Sequence, residues 1–447
     1  MASALCSAAF DPADPRATLA ALPQARAVFA LDGADEKAEP YIGRTPNLRA
    51  RLERLLTPSA RHPRRLQLAG LVRTIRWRLA GSEFESLLVQ FTLLEEVYGA
   101  KAIERMHLRA PAFVRFYGGN PWPRLAVTNR PSLRAAEWAY GPFASRAAAE
   151  RFAEETLKLF LLRRCTDDLA PSPSHPGCVY SEMKMCLAPC FQGCTDERYA
   201  EEAAAVERFL ATRGQSRLTA LRQARDQAST ALDFERAAAL HAQAQRVEAV
   251  RAWASELVRP LSRLRALVLQ ASANPGEVAI FLFENGRLRG PASFSTLGMR
   301  IQNEDSGSTS LFAQPMAIEP TTEEQGQKQG LGTGDVRTGD LGTEGARAEE
   351  QEAGGSARPG APAKIARGLL ESRLEAALAE LAAPCGAPSA AMRQGHLALL
   401  KRWYYRPEAR REGAIFFPGE DDRWPVKAIL RGIGRVAARE FSQQDRA

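Results

Sequence analysis

Five of the seven cysteines fall between residues 165 and 194, at Cys165, Cys178, Cys186, Cys190 and Cys194, while Cys6 and Cys385 stand alone. Crowding of this kind constrains the chain more than any other feature, because the segment that carries it has to fold around whatever the thiols hold. The N-terminus lacks a basic stretch followed by an apolar core, and no run approaches the roughly 18 apolar residues of a membrane span. The sequence therefore reads as cytoplasmic, with no membrane partner, and in a reducing compartment clustered thiols suggest metal before disulfides. Twelve, seven and three residues separate Cys165, Cys178, Cys186 and Cys190. That spacing lacks the paired Cys-x-x-Cys knuckles of zinc ribbons, and four thiolates can hold either zinc or an iron-sulfur cluster.

At 447 residues the chain has length for about three domains. The formal charge of +8 favours an anionic partner only weakly, since 60 basic residues face 52 acidic ones. Local clustering says more: residues 44–78 hold ten arginines and one acidic residue, Glu53. The bias suggests a phosphate-facing surface, with Arg49, Arg54, Arg64 and Arg65 as candidate contacts to double-stranded DNA.

Periodicity places strands at 25–31 and 39–44, a helix capped by Asn47 with Leu48, Leu52, Leu55 and Leu56 on one face, a strand at 71–79, and a helix capped by Ser82 that runs to Gly99. Residues 113–141 read as loop and strand, 146–162 as helix. From 196 to 253 the only glycine or proline is Gly214, the pattern of long helices in a hairpin. Asn285-Gly286 between apolar runs is a strong hairpin signal. Residues 321–357 carry eight acidic and three basic residues, nine glycines and no aromatic, which predicts a disordered linker. The segment "RGIGRVAA" at 431–438 has the look of half a helix-hairpin-helix, although no first helix is evident before it.

Phosphodiester hydrolysis needs an activated water, a group for the developing charge, and usually a carboxylate to hold a metal. Tyr41 has a phenol that can relay a proton, Arg44 could hold a phosphate, and Arg51 lies on the helix just after them. In order and spacing, "YIG", the basic residue three after Tyr41, "NLRARL" and "SEFESLL" resemble the GIY-YIG nuclease domain at the N-terminus of the UvrC family of bacterial nucleotide excision repair. The resemblance implies that Tyr41 stands near the attacking water, Arg44 replaces the usual lysine, Asn47 starts the helix and Arg51 is the catalytic arginine. It also implies departures. Ala27-Val28-Phe29 replaces Gly-Val-Tyr, Gln90 stands where the family's metal-binding glutamate is expected, and the usual Pro-x-Tyr-Asn is missing. Since Mg²⁺ favours carboxylates and water, a Mg or Mn ion at this corner is doubtful and the site is expected to be impaired.

"RCTDDLAPSPSHPGCVYSEMKMCLAPC" resembles the UvrC segment that binds a 4Fe-4S cluster, which implies that Cys165, Cys178, Cys186 and Cys190 are its ligands, with zinc as the alternative. Cys194 would be a spare. "ALDFERAAAL" resembles the UVR motif, implying that Leu232, Phe234, Arg236 and Leu240 meet a UvrB-like helicase subunit.

The expected fold is an α/β GIY-YIG-like domain (20–105), a connecting and cysteine-rich α segment (106–200), a helical hairpin (215–253), and a small α+β C-terminal region in which a β-rich segment (262–320) and a helical part (364–441) flank the disordered linker (321–363). The family's RNase H-like nuclease and tandem helix-hairpin-helix elements are expected to be missing. The function expected is DNA and UvrB binding in excision repair with an impaired nuclease site. An active endonuclease using Gln90 and water as ligands, and a UvrB adaptor that does not bind DNA, are the alternatives.

Overall fold

A computed structural model describes residues 5–35, 38–57, 68–131, 138–297, 299, 301–302, 309–310, 367–384 and 386–444. The expected disordered linker at 321–363, Arg64, Arg65 and Cys385 lie outside the described residues.

The N-terminal part contains β1 (Cys6–Ala9), α1 (Pro15–Ala21), β2 (Ala27–Gly33), β3 (Tyr41–Thr45), α2 (Leu48–Leu56), β4 (Val72–Leu79) and α3 (Glu83–Tyr98). The antiparallel sheet runs β1-β4-β2-β3. Both expected caps form: Asn47 Oδ1 accepts from Ala50 N at 3.0 Å, and Ser82 Oγ from Glu85 N at 3.1 Å. The Glu85 carboxylate, three residues after the Ser82 cap, accepts from Gly81 N at 2.9 Å. β1 and α1 had no clear signal in the sequence. β1 is only four residues long and largely exposed, an edge strand with little apolar alternation.

A second mixed unit follows, with α4 (Ala102–Arg105), β5 (Ala112–Phe116), β6 (Leu125–Thr128), β7 (Ala139–Phe143), α5 (Arg146–Leu157), α6 (Val179–Glu182) and α7 (Asp196–Ala211). Helix α5 stops five residues short of the expected end, because Leu159 N turns back to Thr156 O. The cysteine segment is mostly irregular backbone, with α6 and one 3-10 turn (Pro189–Phe191), rather than helix. Its prolines and left-handed residues at Ala188 and Gln192 break helical continuity. Then come α8 (Gln215–Thr230) and α9 (Phe234–Ala252), the expected hairpin, and β8 (Arg259–Pro260), which completes the sheet β6-β5-β7-β8.

The last sheet is built from β9 (Ala266–Ala271), β10 (Glu277–Glu284) and β11 (Arg287–Ser295), with a minor pair β12 (Ile301–Gln302) and β13 (Thr309–Ser310) beyond it. Asn285 and Gly286 take φ of 52° and 76° in the β10–β11 turn, as a two-residue hairpin requires. After α10 (Arg367–Ala382) and α11 (Ala390–Tyr404), β14 (Ala414–Phe416) pairs with β9, so a strand from the end of the chain completes the order β11-β10-β9-β14. α12 (Val426–Gln444) covers this sheet. It runs unbroken through Gly432 and Gly434, so the "RGIGRVAA" segment is mid-helix and not a hairpin. At Gly432 the missing side chain lets α12 close on Phe416.

One core joins α3, the β9–β11 sheet and α11, through Phe84, Leu88, Phe91, Phe281, Phe283, Leu397 and Trp403. Gly395 of α11 sits where a β-carbon would run into the Phe91 ring, which sets how closely the two helices approach. Next to it His396 is 4% exposed, and its Nδ1 accepts from Leu288 N at 3.0 Å. Burial, aided by Arg287, pushes its pKa from 6.5 down to about 3. The unfolded chain thus takes up a proton that the folded chain refuses. The corresponding stability is complete above pH 6.5 and is lost as pH falls from there toward 3. Denaturant titrations at pH 6.5 and 5 should differ by about 2 kcal/mol more in the wild type than in His396→Gln; equal losses in the two proteins would refute this assignment.

Candidate functional site

Three places hold the residues singled out above. The first is the corner formed by β3, α2 and α3. Tyr41 pairs across the sheet with Leu31, and its ring lies 6.2 Å from that of Phe29, on the side covered by Leu48, Leu52 and Leu55 of α2. Its approach is fixed by Tyr98 at the end of α3, whose hydroxyl donates to Pro40 O at 3.2 Å. Side chains alternate along a strand, so Ile42 and Arg44 lie on the other side, and Ile42 meets the core that contains α3. Arg51 and Gln90 are each half-buried, on α2 and α3. Among the described residues no hydrogen bond, ion pair or ring contact joins Tyr41, Arg51 and Gln90 to one another.

Arg44 does find a partner. Its Nη1 lies 3.6 Å from Glu83 Oε1, and Arg406, from beyond α11, donates to both oxygens of the same carboxylate at 2.9 Å. Arg406 holds the Glu83 carboxyl below the usual range, against burial and with help from Arg44 and Arg402. Burial lowers the Arg44 guanidinium; Glu83 opposes this, and Arg402, Arg406 and Arg26 add to it. No motif pointed to Arg26, Arg402 or Arg406 here, because nothing local links segments nearly 400 residues apart.

The arginine-rich stretch is not a uniformly free surface. Arg49 Nε donates to Leu22 O at 2.7 Å and Arg54 Nε to Ala50 O at 3.1 Å. Arg76 pairs bidentately with Asp32 at 2.7 Å, and Arg78 lies 3.6 Å from Glu85.

The second place is the cysteine segment. Burial pushes the Cys186 thiol up to about 11, the Ala188 N–H that donates to its sulfur at 3.2 Å works against this, and Cys165, Cys178 and Cys190 add to it. Burial also raises Cys190, the Phe191 N–H opposes it, and Cys178 and Cys165 contribute. The four candidate ligands are therefore within electrostatic reach of one another. Among the described residues, though, no three His, Cys, Asp or Glu side chains are drawn into a sphere that would already grip one ion. Cys194 stands apart: its thiol is raised by burial, and its charged neighbours are Arg198 and Asp196.

Arg163, 1% exposed, anchors this segment. Its Nε donates to Trp122 O at 2.9 Å, and its Nη1 to Asp167 O at 2.7 Å and toward Cys165 Sγ at 3.6 Å, while its buried Nη2 has no hydrogen-bond partner among the described residues. Its backbone N–H donates to the Tyr199 hydroxyl at 3.1 Å, which in turn donates to Pro123 O at 2.8 Å.

The third place is the hairpin tip. Leu232 has φ of 58°, Asp233 Oδ1 caps α9 by accepting from Arg236 N at 3.0 Å, and Leu232 and Phe234 are 72% and 66% exposed. Arg236 is exposed and Leu240 half-buried. The root of the hairpin packs through Ala244, Val247 and Val250; the tip does not.

A model of the UvrC/Cho excinuclease middle domain matches residues 113–209, from β5 to near the end of α7 and across all five clustered cysteines. The UvrABC system protein C of Alcanivorax borkumensis is 28% identical over 210 residues, 47% of this chain and 34% of the relative. Those of Rhodospirillum rubrum and Pseudomonas syringae are 27% and 28% identical, over 64% and 63% of this chain and 45% and 46% of theirs. By these matches the chain is similar to UvrC proteins over 47% to 64% of its length. It spans less than half the length of these UvrC relatives. No solved structure matches it. Among the described residues no helix is long and apolar enough to cross a membrane.

The Tyr199 hydroxyl satisfies the buried Arg163 N–H and the half-buried Pro123 carbonyl at the foot of the cysteine segment. Tyr199→Phe should therefore cost about 1–3 kcal/mol, read as a lower denaturant midpoint with an unchanged slope. A midpoint equal to that of the wild type would show that the segment does not lean on this bond.

Proposed function

We propose that the chain acts in nucleotide excision repair as a DNA-binding, UvrB-associating protein whose GIY-YIG-like corner has lost most of its cutting chemistry. The observation that carries the reading is the excinuclease middle-domain match over 113–209, with the thiols at Cys165, Cys178, Cys186 and Cys190 in mutual reach inside it.

The donor set fits an all-thiolate 4Fe-4S cluster. The four thiols act on one another's charge, backbone N–H groups at Ala188 and Phe191 are directed at Cys186 and Cys190, and Nη1 of the buried Arg163 guanidinium points toward Cys165. Bringing thiols together in a buried place raises their pKa values, which an iron or zinc cation would offset. Such a cluster would supply a rigid crosslink for a segment with little regular structure of its own.

The nuclease corner fits its metal poorly. Gln90 offers an amide oxygen without charge, and Glu83, which shares its helix face, is held by Arg406 and Arg44. Under this reading Tyr41 and Arg51 would take the roles that the resemblance implies, and Arg44 would hold a phosphate. The exposed Leu232 and Phe234 at the hairpin tip offer an apolar contact for a UvrB-like partner, as an isolated hairpin gains stability by packing.

With UvrB and damaged duplex present, Mg²⁺ or Mn²⁺ should support little nicking. Gln90→Glu should raise it if the rest of the corner is organised. Robust wild-type cutting that disappears in Tyr41→Phe or Arg51→Ala would replace this reading with an active endonuclease. Anaerobically purified protein should contain about four irons per chain, lost in Cys186→Ser and kept in Cys194→Ser; one zinc and no iron would exclude the cluster. Phe234→Ala should weaken UvrB association and leave DNA binding intact.

A further inference from the structure

Glu83 stands in a different charge environment from the other carboxylates of the N-terminal sheet. Asp32 is matched by Arg76 in a bidentate pair and Glu85 by Arg78. Glu83 meets Arg406 at 2.9 Å and Arg44 at 3.6 Å, and Arg402 also acts on it. Arg26 belongs to the same group. It directly precedes β2, two residues before Val28, which pairs with Arg44, so strand alternation puts Arg26 and Arg44 on one face of the sheet. Arg402 lies in the last turn of α11, four residues before Arg406, and is exposed. Glu412 is a second carboxylate in reach of Arg406, but it does not figure among the charges acting on Arg44. Among the described residues, neither Arg26 nor Arg402 has a side-chain hydrogen bond or ion pair.

Arg44, Arg402 and Arg406, from two remote segments, thus share one carboxylate as counter-charge, and Arg26, from a third, acts on Arg44. Like charges repel, so the arrangement raises the energy of the free protein. An anion that enters relieves that repulsion. Guanidiniums suit phosphate because their planar fork matches its oxygens. Sharing one carboxylate also leaves N–H donors of Arg44, Arg26 and Arg402 available.

We propose that Arg26, Arg44, Arg402 and Arg406 form one cradle for the phosphodiester backbone of DNA, in which the C-terminal residues 402–406 complete a site begun by the N-terminal sheet and Glu83 moderates its affinity. The proposal rests on the DNA-binding reading above. It extends that reading to residues that no motif marks, and it gives the carboxylate a role opposite to metal binding.

The test uses the full chain with duplex DNA at a series of salt concentrations. Each phosphate that is no longer neutralised should reduce the slope of log affinity against log salt by about 0.9. Arg402→Gln and Arg26→Gln, neither of which breaks an internal pair, should each weaken binding and lower the slope by about that amount, with melting temperatures unchanged. Glu83→Gln should tighten binding, whereas a merely structural Glu83–Arg406 pair would leave affinity unchanged or reduced. Slopes unaltered in both arginine variants, or weaker binding by Glu83→Gln, would overturn the cradle while leaving DNA binding itself in place. Absence of any wild-type binding at low salt would overturn both. Inorganic phosphate should compete no better than chloride at equal ionic strength; efficient displacement by phosphate alone would assign the cradle to a small anion instead of a nucleic-acid backbone.

Discussion

The contact on which the architecture turns is the one between Phe84, Phe281 and Trp403. The Phe84 ring meets Phe281 edge-on at 5.2 Å and Trp403 at 5.4 Å. One of these rings comes from the first turn of α3, one from the middle of β10 and one from the end of α11. Aromatic rings of this size, fully or nearly buried, contribute more to a core than any polar contact near them. Burying them together makes α3, the β9–β11 sheet and α11 share one interior. Further ties follow from that placement. Tyr405 donates to Pro142 O at 2.9 Å and meets Ser255 Oγ at 2.8 Å, and burial raises its hydroxyl to about 12.

The same junction decides the electrostatics of the corner. Trp403 fixes the end of α11, so Arg402 and Arg406 on either side of it are delivered to the first turn of α3. Glu83 would otherwise face solvent at a helix N-terminus, a favourable place for a carboxylate. With Arg406 on both its oxygens it is a half-buried ion pair, and half-buried pairs contribute modestly to stability. Its consequence lies in charge distribution: a carboxylate already bound to two guanidiniums makes a poor metal ligand.

The cysteine segment depends on a different principle. It has almost no regular structure, so its position is set by a few polar anchors: Arg163, the Tyr199 hydroxyl and the backbone oxygens of Trp122, Asp167 and Pro123. These hold the segment that carries the thiols while leaving its backbone irregular. Under the cluster reading, metal binding and folding of the segment are one equilibrium. The hairpin is the opposite case, regular throughout and anchored only at its root, with its apolar tip directed away from the core.

Local order was legible in the residues wherever one short stretch contained the whole cause. Asn47 and Ser82 announce their helices because a cap needs only its own first turn, and Asn285-Gly286 announces its turn because both residues tolerate positive φ. The spacing of Cys165, Cys178, Cys186 and Cys190 likewise marked the candidate ligands. What no stretch contained was the pairing of β14 with β9, the burial of His396 beside Leu288, or the arrival of Arg402 and Arg406 at Glu83. The segment around Cys165 was expected to be helical, and prolines with left-handed turns made it irregular instead. Periodicity tells which face of an element seeks the interior, but not which other face it will meet. That choice depends on the joint volume of rings such as Phe84, Phe281 and Trp403, set by close packing over the whole chain.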